Sequence, residues 1–118
     1  MKQGIRPPGK TTIAPEVLVS IARLTALSVP GVRRLALAPT DINKIFHHGV
    51  NEGVEIRVEN DTVYADIHVI LNRDVNVRDV SRTIQTQVAR AFSEMVGMEV
   101  GKVNIHIEDI DFSPVSES

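Results

Sequence analysis

The chain has no cysteine. That absence excludes disulfides, thiolate nucleophiles and zinc-thiolate sites, leaves the redox compartment open, and makes hydrophobic burial the source of stability. Tryptophan is absent as well, and aromatic residues make up only 3% of the sequence, a poor supply for the stacking platforms on which single-stranded bases lie. Neither sign of charge dominates: the formal net charge is -2, which exerts no global pull towards nucleic acid or acidic lipid. No apolar run approaches the roughly 20 residues that span a bilayer, so direct membrane insertion is not expected. Residues 1–10 lack the apolar core of a secretory signal, and a cytoplasmic protein is the expectation.

What is present suits one domain. With 118 residues, 42% of them hydrophobic, the chain can hide roughly two-thirds of its unfolded surface. Residues 1–9, with Pro7 and Pro8, read as a flexible leader, 10–111 as a single domain, and 112–118 as a short polar tail. From Thr62 an alternating run sends Val63, Ala65, Ile67, Val69 and Leu71 to one face and Tyr64, Asp66 and His68 to the other. Residues 103–108 repeat that plan, with Val103, Ile105 and Ile107 inward and Asn104, His106 and Glu108 outward. A third alternating run at 54–59 joins the first through Asn60-Asp61, residues that tolerate the positive backbone angles of a tight hairpin.

Two helices complete the pattern. The first is expected to start at Pro15, with Glu16 at its positive end, an inward stripe of Val17, Leu18, Ile21, Leu24 and Leu27, and a stop at Pro30-Gly31. The second takes Asn76 as its cap and Asp79 in its first turn, carries Val80, Ile84, Val88, Phe92 and Met95 inward, and stops at Gly97. Short strands are expected at 10–14 and 32–38. Residues 39–53 read as a mobile connection in which Ile42, Ile45 and Phe46 could form one helical turn. The order β-α-β-β-β-α-β with one-sided elements predicts an α+β fold: a two-layer arrangement of a mixed β-sheet with both amphipathic helices on one face and a polar opposite face.

Candidate chemistry is sparse. Gly4 to Thr11 matches the phosphate-loop spelling G-x-x-x-x-G-K-S/T. Only three residues precede it, however, Pro7 and Pro8 remove two backbone donors, and the next helix opens several residues late. Lys10 is therefore expected to hold no nucleotide. His47, His48 and Glu52 lack metal-ligand spacing and read as solvated loop residues. No metal and no other cofactor is expected. His68 and His106 lie on the polar phase of strands beside Asp66 and Glu108, where neighbouring strands could bring them together as a pH-sensitive pair, although a hydrated polar face accounts for them without catalysis. Tyr64, Asp66, His68 and His106 form a candidate interaction surface. Arg78, Arg82 and Arg90 on the second helix form a candidate basic strip, with no interleaved aromatics and no G-x-x-G loop between helices. Nucleic acid is thus an unfavoured partner.

Over residues 9–111 the spacing resembles the bacterial alkaline-shock-protein family, also described as envelope stress response proteins. The resemblance is carried by the strand from Thr62, the Asn76-Val77 helix start, Ile84-Gln85-Thr86-Gln87-Val88, and Met95-Val96-Gly97-Met98-Glu99-Val100 leading into Val103-Asn104-Ile105-His106-Ile107. Gly9 to Val17 and Pro30-Gly31-Val32 add to it. The resemblance implies a non-enzymatic cytoplasmic protein that assembles as a homo-oligomer and is recruited to the inner membrane face by a membrane-anchored protein partner. It identifies no catalytic residue. A nucleotide- or nucleic-acid-binding accessory protein is the alternative.

Overall fold

The computed structural model of the protein describes residues 9, 11–37, 50–51 and 53–114, residues 50 and 51 as backbone alone. The longest alternating run becomes β4 (Thr62–Asn72), the strand on which the sheet is organised. Val63, Ala65, Ile67, Val69 and Leu71 are each at most 1% exposed, because alternate side chains share a face and that whole face of β4 is covered. β3 (Val54–Glu59) reaches β4 through Asn60 and Asp61, whose φ angles of 53° and 61° are the paired left-handed conformations of a tight hairpin.

β1 (Val32–Leu35) continues along the same edge of β4 beyond the end of β3, pairing Leu35 with Val69 and Val32 with Leu71. The edge passes from β3 to β1 at His68. Its N–H donates to the Gly53 carbonyl at 2.8 Å and its carbonyl accepts from the Ala36 N–H at 2.8 Å. Gly53 has a φ of 90° and no room for a side chain against the Ala36 carbonyl, so the two segments can meet there only at a glycine. β2 (Val50–Asn51) pairs antiparallel with β3. The other edge of β4 belongs to β5 (Glu99–Asp111), which runs parallel and sets Ile105 beside Ile67 and His106 beside His68. The sheet is mixed, as expected.

Both helices cover the apolar face of this sheet, as expected, but the first is rotated from its expected phase. In α1 (Pro15–Leu27) Leu18, Val19, Ala22 and Ala26 are buried, while Val17, Leu24 and Leu27 are 45%, 60% and 39% exposed. Ala22 and Ala26 permit a close approach to the second helix and the sheet, and the side chains at the closest contact set how helices sit. Large apolar residues alone marked the wrong stripe. α2 (Val77–Ala91) keeps its expected phase: the Asn76 side chain accepts from the Asp79 N–H at 3.0 Å, and Val80, Ile84 and Val88 face inward. One π-helical turn (Phe92–Val96) follows, burying Phe92. Met95, expected inward, is 68% exposed, because the wider turn inserts a residue and swings it outward. Gly97 then ends the helix at a φ of 69°, its N–H bonded to the Ser93 carbonyl at 3.1 Å.

The remaining differences lie at strand ends. Residues 11–14 form no strand, and the sheet positions beside β4 are taken by β1, β3 and β5. Among the described residues the element order is therefore α-β-β-β-β-α-β. The strand expected from residue 32 ends at Leu35 as β1, with Ala36 and Leu37 outside it, 103–108 lengthen to β5, and β2 arises inside the expected connection. Lys10, Ile42, Ile45, Phe46, His47, His48 and Glu52 lie outside the described residues. Among the described residues no helix is long and apolar enough to cross a membrane.

Candidate interaction surface

The parallel pairing of β4 with β5 converts two separate alternations into one polar face. A parallel register aligns residues of like phase side by side, so Asp66 meets Asn104 and His68 meets His106. The two imidazole rings stack, with centroids 4.5 Å apart and planes 14° from parallel. The His68 Nδ1–H donates to Glu108 Oε2 at 2.6 Å, and its Nε2 lies 3.4 Å from Glu55 Oε1 on β3. His106 Nε2 reaches Asp66 Oδ1 at 2.8 Å, and Asn104 donates to the same oxygen at 3.3 Å. The cluster ties three strands together by charge-assisted hydrogen bonds.

Burial divides the cluster. His68 is 5% exposed although it lies on the polar face, because the His106 ring covers it and two carboxylates flank it. It cannot offer itself directly to a partner, which corrects the expectation that alternation leaves it available. His106 and Asp66 remain partly open, with side-chain exposures of 43% and 39%. Tyr64 is half-buried beneath the Arg57 guanidinium, 4.5 Å from its ring centroid. Gly101 on β5 makes room for that ring, since a β-carbon there would overlap it. Arg78, Arg82 and Arg90 are exposed on α2, in the helical layer on the other side of the sheet. Arg90 faces Glu94 at 3.8 Å. The candidate residues thus make two surfaces.

The partnerships of Glu55 and Arg57 escaped the sequence reading, although both stood on the outward phase of a recognised strand; their neighbours depend on strand order. The arrangement has structural chemistry. Its acids and imidazoles satisfy one another, and among the described residues no cluster of three or more His, Cys, Asp or Glu is arranged to hold a metal. A groove of about 290 Å³ lies elsewhere, between Arg23, Leu27, Arg34, Leu35 and Leu37. A shallower one of about 510 Å³ lies between the end of α2 and the start of β5.

At the far end of β5, Asp111 binds the last described turn to β1. The Ser113 hydroxyl, the Ser113 N–H at 2.9 Å, and the Arg33 and Arg34 guanidiniums together hold its carboxyl below the ordinary aspartate range, against the opposing effect of burial.

Comparison with known proteins agrees with this architecture. A family model described as the alkaline shock protein 23 family, with a cell envelope-related function, matches residues 5–112. The uncharacterized protein Spy1535 of Streptococcus pyogenes is 35% identical over 105 residues, covering 86% of this chain and 79% of that protein. The uncharacterized protein YqhY of Bacillus subtilis is 26% identical over 106 residues, covering 88% and 78%. Among solved structures, the MamM-CTD is similar with a TM-score of 0.55 at 15% identity, covering 80% of this chain and 96% of that one. At that identity the likeness concerns the fold.

Proposed function

Because this chain belongs to the alkaline shock protein 23 family, whose function is cell envelope-related, we propose that it is a non-enzymatic assembly module of envelope homeostasis or stress response, working through contacts with copies of itself and with a membrane-anchored protein at the cytoplasmic face of the inner membrane. The observation that carries this reading is the His68–His106 face. Its acids and imidazoles are spent on one another across three strands, a rigid patterned surface of the kind that positions protein contacts and not one poised to move protons on a substrate. The alternative, a nucleotide- or nucleic-acid-binding accessory protein, would rest on Arg78, Arg82 and Arg90, of which Arg90 already faces an acid.

Sedimentation velocity across a concentration series tests the self-association. The wild-type chain is expected to sediment faster than a monomer as concentration rises. A monomer at every concentration would overturn the assembly reading, and saturable binding of ATP or of an oligonucleotide would favour the alternative.

A further inference from the structure

Resting on the assembly reading, we propose that the outer edge of β5 is the self-association interface, where a second copy of this chain pairs antiparallel with the first about a two-fold axis through Ile105. The edge is open in the required direction. The His68 backbone bonds to Gly53 and Ala36 on the far side of β4. In a parallel ladder its neighbour His106 then directs its own N–H and C=O towards β4, which turns those of Val103, Ile105 and Ile107 outward. The Gln85 side chain confirms the direction by donating to the Val103 carbonyl at 3.1 Å. Among the described residues β4 is the only strand paired with β5.

The pattern along β5 reads the same from both ends. Its inward residues, paired with the buried face of β4, are Val100, Val103, Ile105, Ile107 and Ile110. They fall symmetrically about Ile105 because β5 carries an extra residue in each of two irregularities, between Val100 and Val103 and between Ile107 and Ile110. All are only half-buried. An isologous contact requires such a self-complementary strip. Antiparallel pairing about Ile105 sets Val103 opposite the second copy's Ile107, Val100 opposite Ile110, and Lys102 opposite Glu108. Lys102 is exposed, and Glu108, with His68 on one oxygen, keeps 34% of its side chain exposed. The regular stretch between the irregularities contains neither proline nor lysine, the residues that usually protect an edge from pairing. The sheets of two copies would become continuous, with the helices of both on one face.

The absence of native cysteine makes the test direct. Directly opposed, hydrogen-bonded residues of an antiparallel pair lie about 5.5 Å apart at Cα, within the range a disulfide spans. Oxidised Ile105→Cys is therefore expected to run mainly as a covalent dimer on a non-reducing gel, whereas Thr86→Cys, on the exposed side of α2, stays monomeric. Lys102→Glu sets like charges opposite each other twice and should weaken self-association about three- to tenfold by sedimentation, in protein whose circular dichroism is unchanged. Association of the wild type with no more crosslinking of Ile105→Cys than of Thr86→Cys would overturn the edge while leaving the assembly reading intact. An unchanged dissociation constant in Lys102→Glu would overturn the register, and decides the matter should Ile105→Cys fail to fold. A wild type that stays monomeric would overturn both readings.

Discussion

β4 and β5 carry the same pattern and meet different fates. Each turns five apolar side chains towards the helices, yet those of β4 are at most 1% exposed and every one of those on β5 is half-buried. Alternation fixes which face a residue takes; strands on either side decide how deep it lies. β4 has β5 on one edge and both β3 and β1 on the other. β5 borders β4 alone among the described residues. The centre of the sheet is a finished core, and its edge is an unfinished one.

The largest effect expected from this contrast is in stability. Ile67→Ala removes atoms from a closed site and should cost about 2 to 5 kcal/mol. Ile105→Ala, measured in protein dilute enough to be monomeric, should cost about 1 to 2 kcal/mol, because much of the side chain already meets water. Urea denaturation of both variants gives the comparison. Equal losses would mean that the edge is as closed as the centre.

The polar face sharpens the same contrast with a smaller effect. His68→Ala removes a buried ring that the partly exposed Glu55 and Glu108 carboxylates share, and should cost about 1 to 3 kcal/mol. His106→Ala, at a residue 43% exposed by side chain, should cost less than about 1 kcal/mol. The same denaturation experiment ranks them. A reversed order would show that the outer histidine, not the buried one, holds the three strands together.

Smaller still is the pH response at the end of β5. The Ser113 hydroxyl and N–H and the two arginines keep the Asp111 carboxyl below its ordinary range. A carboxyl with a folded pKa lower than its unfolded one adds stability above the unfolded value, and loses it as pH falls through the folded value. The contribution of Asp111 should thus be complete at neutral pH and fade only below about pH 4. Carbon-detected NMR titration should place its midpoint below the ordinary aspartate value, with Ser113→Ala moving it upward. A midpoint at the ordinary value would remove Ser113 and the arginines from the account.

Much of this fold was legible in the residues, and the failures share one cause. The β3–β4 hairpin, the Asn76 cap, the Gly97 stop and the alternation of β4 and β5 are local signals, readable because the backbone itself requires them. The rotation of α1 was not legible, since Ala22 and Ala26 sit where close approach demands small side chains and a count of large ones passes over them. Met95 depended on a π-helical turn that no residue type announces. His68 and His106 could be placed on the polar phase, but the burial of one and the exposure of the other follow from strand order and from the irregularities in β5, which are properties of the assembled sheet.

The openness of the β5 edge, and its closure by a second copy, can be read at single backbone amides by hydrogen exchange at two protein concentrations. In dilute protein the Ile105 and Ile107 amides should exchange quickly while His106, bonded to β4, is protected. At concentrations where the chain self-associates, Ile105 and Ile107 should slow by at least about tenfold, as ladder hydrogen bonds remove them from water, and His106 should change little. Self-association that leaves the Ile105 and Ile107 amides exchanging at their dilute rates would contradict the account.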